Sequence, residues 1–485
     1  MAQVLTPSPR LGITVMPEWF QCEGIDAVLD RLQACGASAL VTSPYLLEIA
    51  PPGDGAREPP PDSDAGGVRP LDRPLWGMHE TWVRTAPALV HDQTRYRGLR
   101  YQPSPPGALT LAHPRLIDDV VEAATRRSMT VYLQVMAASP PGYKVQFSSA
   151  VQDDQCLGPD GLPHPRRVDA NASLASPHVR DYGAALLVEL AQRYPGIAGF
   201  RIDWPEYPPY DLRSALFDFN AYAHGALRAQ GVVPADYGRQ ICALVETWRS
   251  RALAAAPHGA AAVRLQLAQA GWDDFFGAHG AGAPLWASKR ATVARLLQHY
   301  RQALDQVSGP RRALEPQVFP APLSRFSGFD WDALAATSDA VGVKLYTMHW
   351  PMMARFWARD LVGEQHAGTL DTVTAAMMDF LGFADQPPTD GAQLVYPPPA
   401  LAHPVGSQAQ RDKIALAQRA AGAVPVIAFA HSYGPPDDVA RRAQLALQAS
   451  AGVGGGYLWV NRYGYLSDAK LSGLAQLMQA RELCP

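Results

Sequence analysis

Ile197-Ala-Gly-Phe-Arg-Ile-Asp-Trp-Pro-Glu-Tyr-Pro-Pro-Tyr210 is the stretch that decides the fold. Its first half alternates as a strand does. Ala198, Phe200 and Ile202 share one face, and Gly199, Arg201 and Asp203 share the other. Large apolar groups on one side and a charged pair on the other suit a strand of a (β/α)8 barrel. The apolar face packs on outer helices, and Arg201 and Asp203 point inward. Pro205, Pro208 and Pro209 then forbid both a continuing strand and an immediate helix, so the chain breaks into a loop at Asp203. A carboxylate is thereby expected at the C-terminal end of a barrel strand, where this architecture carries chemistry, with Trp204, Glu206 and Tyr207 next to it. The structural alternative is an Arg201–Asp203 ion pair that only fills the barrel.

Seven more strands are predicted around this one: Leu11–Met16, Ala39–Thr42, Met129–Met136, Ala313–Phe319, Ala340–Tyr346, Val424–Ala430 and Gly456–Asn461. Helical spacing separates most of them, as in Gly24–Cys35, His113–Arg127, Pro177–Tyr194 and Ser467–Arg481. An open doubly wound sheet would show continuously apolar strands and a glycine-rich first turn, and neither is present. The glycines at 452, 454, 455 and 456 precede a strand and do not open a helix, which gives a phosphate cradle little support. The expectation is one α/β domain over residues 1–485, a (β/α)8 TIM barrel. It carries a loop excursion at 47–110 between strand two and helix two, and a helical insertion at 232–284 between strands four and five. The proline-rich half of the excursion reads as a mobile cover, and its Trp/His/Arg/Tyr half as a wall over the mouth.

Composition narrows the function classes. In 485 residues, 42 basic against 45 acidic side chains give a net charge of −3 with no long run of one sign. Nucleic acid and anionic membranes are therefore not expected partners. No apolar run reaches the ~20 residues that span a bilayer. The opening Met1–Arg10 does not read as a signal peptide. Cysteines 22, 35, 156, 242 and 484 are scattered, without Cys-x-x-Cys, which fits reduced thiols and a cytoplasmic location. Thirteen histidines show no His-x-His or His-Glu-x-x-His spacing, so a catalytic zinc is not expected; there is no Gly-x-Ser-x-Gly elbow for a serine nucleophile, and no cofactor is expected.

The chemistry is expected at the strand ends. Asp203 and Glu315, inward on neighbouring strands, are the minimum for splitting a glycosidic bond. One attacks or stabilises the anomeric carbon and the other donates a proton to the leaving oxygen. Arg201 is expected to keep Asp203 ionised. With strands ~4.8 Å apart and both carboxyls at one level, a separation of ~5–5.5 Å predicts a retaining reaction. Lys344 is inward too and threatens to pair with Glu315, in which case Glu206 must supply the proton. Substrate contacts are expected from Glu18, Tyr45, Gln134, Arg201, Trp204, Gln317, Lys344, Tyr346, His349, Trp350, His431, Trp459 and Asn461. Among these the aromatic side chains offer flat apolar faces to sugar rings.

At these residues a family resemblance emerges. Gly199-Phe-Arg-Ile-Asp203 is similar to the strand-four motif of the α-amylase superfamily of glycoside hydrolases, whose Asp is the nucleophile. Gly24–Pro44 and His113–Ala138 resemble that superfamily's first helix with strand two and second helix with strand three. The resemblance covers roughly residues 11–206 and implies Glu315 as the general acid. Departures are Gln134 in place of the strand-three Asp and His431-Ser432 in place of His-Asp. Ile202-Asp-Trp-Pro-Glu-Tyr-Pro also looks like strand four of chitinase-like barrels, which would make Glu206 the acid and Asp203 its helper. The function expected is a glycoside hydrolase or transglycosidase acting on a small soluble carbohydrate. The other reading is a sugar-binding barrel that has lost part of the catalytic set.

Overall fold

The computed structural model describes residues 10–59, 69–140, 152–164, 171–364, 367–386, 391, 394–450 and 457–482. Eight parallel strands close on themselves in chain order: β1 (Arg10–Thr14), β2 (Ala37–Thr42), β3 (Thr130–Met136), β4 (Gly199–Asp203), β5 (Ala313–Val318), β6 (Val341–Leu345), β7 (Val426–His431) and β8 (Tyr457–Asn461), with β8 against β1. All eight predicted strands are present with ends shifted by one or two residues. Pairing in β7 starts after Pro425, which has no N–H to give a ladder.

The alternation predicted for β4 is the one observed. Phe200 and Ile202 join the layer between barrel and helices, and Arg201 lies wholly buried inside. Below the mouth the barrel is filled by Ala39, Val41, Tyr132, Ile427, Phe429 and Trp459, a separate apolar cluster. Gly12 makes room for it, since a Cβ there would come within 2.1 Å of the Trp459 ring.

Two regions elaborate the barrel. The stretch expected to be without regular structure after β2 contains a three-stranded antiparallel sheet, Tyr45–Ile49, Thr81–Pro87 and Ala56–Glu58, with Thr81–Pro87 in the middle. Residues 60–68 of the proline-rich cover and glycines 452–456 lie outside the described residues. After β4, helices Pro234–Ala255, Ala260–Gln269 and Trp272–Phe275 precede the long helix Ala283–Asp305. Trp248, Trp272, Phe276 and Trp357 pack edge to face or tilted at 4.6–6.2 Å, joining this insertion to helix His349–Val362. Among the described residues, no helix is long and apolar enough to cross a membrane.

Candidate active site

Strand β4 delivers Asp203 to the C-terminal end of the barrel, in register with Met136 of β3 and Gln317 of β5. Trp204 follows at φ 52, a left-handed conformation uncommon for a bulky residue, and its N–H donates to Asp203 Oδ1 at 3.0 Å. Lys344 Nζ, from β6, lies 2.7 Å from the same oxygen. Gln134 Nε2 donates to Oδ2 at 3.3 Å, and Gln317 Nε2 reaches Gln134 Oε1 at 3.5 Å. Asp203 thus accepts from Gln134 of β3 and the Trp204 N–H just after β4, with the Lys344 ammonium of β6 as its ion-pair partner. Its side chain is 15% exposed, against 3% for Lys344.

Arg201 does not serve Asp203. It stands opposite Glu315 in the β4–β5 register, with Nε 3.4 Å from Oε2, and its guanidinium lies 4.1 and 4.8 Å from the ring centres of Trp459 and Phe429. The expectation that Asp203 and Glu315 share a level at the mouth is therefore corrected. Glu315 lies two residues deeper along the strands, where burial pushes its carboxyl up and Arg201 opposes that shift. Lys344 pairs with Asp203, and the feared Lys344–Glu315 pair does not form.

Glu206 is fully buried under the β4 loop. One oxygen accepts from the Phe319 N–H, and the other shares a hydrogen bond with the Ser327 hydroxyl, whose single proton can go to it or to Ser324 O. Burial raises its carboxyl to about 8, outweighing the Lys344 charge and these donors.

Rings surround the mouth. Tyr346 meets His349 at 5.8 Å and His431 at 5.2 Å, and Tyr210 meets Trp204, Phe319 and His349 at 5.4–5.9 Å. His431 Nδ1 accepts from the Tyr433 N–H at 3.0 Å, so in its neutral form Nε2 carries the proton. Burial holds its pKa well below the ordinary value. Asn461 ends β8 beside His431, and Arg462 follows at φ 84, paired with Glu58 of the small sheet.

Three expected contacts fall elsewhere. Trp350 stacks on Phe383 at 5.0 Å in the helical layer, and Tyr45 faces Tyr182 on helix Pro177–Arg193. Trp459 lies beneath Arg201 and donates to Thr14. Glu18 is buried, accepting from the Leu47 N–H at 3.3 Å. The sequence reading missed Tyr210, Tyr396, Arg462, Glu58 and Arg69, whose guanidinium lies on the Tyr396 ring. Tyr210 ends the stretch quoted first and Arg462 directly follows the eighth strand, whereas Glu58 and Arg69 arrive through the excursion and carried no local signal. Among the described residues, His164, Asp211 and Asp360 bring ligand-type atoms within 4.8 Å of one another. These groups already serve the β4 loop, with Asp211 capping helix Leu212–Ala215 and Asp360 accepting from the Arg213 N–H.

The closed eight-stranded (β/α)8 barrel is shared with solved structures. A β-galactosidase from the psychrophilic Marinomonas ef1 is similar over 98% of this chain at a TM-score of 0.51, with 9% identity, and this chain spans 60% of its length. The catalytic domain of the Paenibacillus polymyxa β-amylase is similar over 98% of this chain and 99% of its own, at a TM-score of 0.49 and 11% identity. At such identities the likeness concerns the fold alone. No family model matches the sequence, and no curated protein is similar to it.

Proposed function

We propose that the chain is a glycoside-acting barrel, a hydrolase or transglycosidase for a small carbohydrate, with Asp203 as the carboxylate that meets the anomeric carbon. The observation that carries this reading is the partly exposed Asp203 carboxylate held in a frame of donors at the mouth, inside a ring of aromatic side chains. Glu206, neutral to about pH 8, is the proton source in this reading, and Glu315 is reassigned to the barrel interior with Arg201. One observation favours the second reading, a sugar-binding barrel without hydrolysis. Both Glu206 oxygens are engaged by Phe319 and Ser327, which leaves Asp203 as the open carboxylate of the pair.

A panel of aryl glycosides, with sugar binding followed by thermal shift, separates the two. Turnover lost in both Asp203→Asn and Glu206→Gln supports the enzyme. Sugars that raise the melting temperature without any turnover support the binding barrel. Turnover unchanged in Asp203→Asn would overturn the assignment.

A further inference from the structure

Of the 42 basic residues only Lys144, Lys289, Lys344, Lys413 and Lys470 are lysine. Lys144 lies outside the described residues, and the other four are all buried. A long, strongly hydrated ammonium is rarely buried unless it is paired. Three of the four bridge backbone carbonyls. Lys289 donates to Ala215 and Phe326, Lys413 to Ala321 and Leu381, and Lys470 to Ser432 and Tyr465, all at 2.7–3.0 Å. Lys344 is different. Among the described residues it has no carbonyl acceptor. Its Nζ faces Asp203 Oδ1 at 2.7 Å and the Phe319 ring at 4.8 Å, at the C-terminal end of β6. Arginine would be a permanent counter-ion at this place, whereas a lysine amine that has handed its proton to a base is a nucleophile.

We propose that Lys344 forms a Schiff base with a small hydroxy-aldehyde, or with the open-chain form of an aldose, admitted past Asp203. The ammonium first passes a proton to the Asp203 carboxylate 2.7 Å away. The freed Nζ pair attacks the carbonyl carbon while the C=O π pair moves to oxygen. A proton then shifts from nitrogen to that oxygen and gives a carbinolamine. Asp203 returns its proton to the hydroxyl, water leaves, and a protonated imine remains. In sum one aldehyde and one ammonium become one iminium and one water. Glu206, kept neutral by burial to about pH 8, adds no second negative charge to pin the ammonium. This activity lies beyond the glycoside reading and requires only the amine and Asp203.

The test is reductive trapping. The full chain is incubated with glyceraldehyde and borohydride, digested, and mapped by mass spectrometry. The expected result is one reduced adduct on the peptide holding Lys344, in excess over Lys144 and the Met1 amine, and lost in Lys344→Met. The wild-type peptide map decides even if that variant fails to fold. Adducts confined to Lys144 and Met1, or none on Lys344, would overturn the proposal. Glycoside turnover is not read, so the two readings fail separately.

Discussion

Arg201 Nε lies 3.4 Å from Glu315 Oε2, two residues deeper than Asp203, with its guanidinium against Trp459 and Phe429. The pair that looked catalytic in the sequence is thus split between two depths. Arg201 and Glu315 neutralise each other inside, and Asp203 is held by Lys344 above. Removing one partner of a buried pair leaves an uncompensated charge at a cost of about 3–5 kcal/mol. Glu315→Gln should therefore lower the unfolding free energy measured in urea by that amount, and Glu315→Gln with Arg201→Met should recover much of it. Unchanged stability with lost turnover would return Glu315 to the catalytic set.

Asp203→Asn tests the mouth. Turnover of any glycoside substrate found should fall by about 10²-fold or more, and stability should also drop, because buried Lys344 loses its counter-charge. Adding Lys344→Met should restore stability and not turnover. Circular dichroism melts beside initial rates show whether the two effects separate.

Gly12→Ala places a Cβ within 2.1 Å of the Trp459 ring, under the Arg201 guanidinium. Overpacking of this kind costs about 1–3 kcal/mol. Trp459→Phe in the same background should relieve part of it. A neutral Gly12→Ala would mean that the interior layer shifts freely.

Alternation was enough to read the barrel, because every strand has an apolar face against helices, and β4 shows it over five residues, Gly199–Asp203. It also put Asp203, Gln134, Gln317 and Lys344 on inward faces. Depth was not legible. Whether Arg201 meets Asp203 or Glu315 depends on inter-strand register, which is a tertiary property. Trp350 illustrates a second limit, since an aromatic side chain just past a strand end reads alike whether it faces a ligand or stacks on Phe383. The small sheet was missed because its strands of three to seven residues pair only across the proline-rich excursion.

Glu206 makes the pH dependence of stability a test of the buried mouth. Its folded value, about 8, lies above the ordinary 4.5 because burial disfavours the charged form. The folded state thus holds its proton more tightly than the unfolded state. Below about pH 4.5 both states are protonated and the group is neutral to stability. Between 4.5 and 8 the unfolded chain releases its proton first, so stability falls as pH rises, and it levels off above 8. Over the whole window the loss is on the order of several kcal/mol. Glu206→Gln imitates the protonated acid. Its oxygen accepts from the Phe319 N–H, and its amide donates to Ser327, which turns its own proton to Ser324 O. The variant should match wild type near pH 4.5 and exceed it increasingly up to pH 8. Taking the difference between the two melting curves cancels every other titrating group, Lys289 and Lys413 included. A difference that stays flat across this window would mean that Glu206 is ionised in the folded protein, and it would remove Glu206 as the neutral proton source.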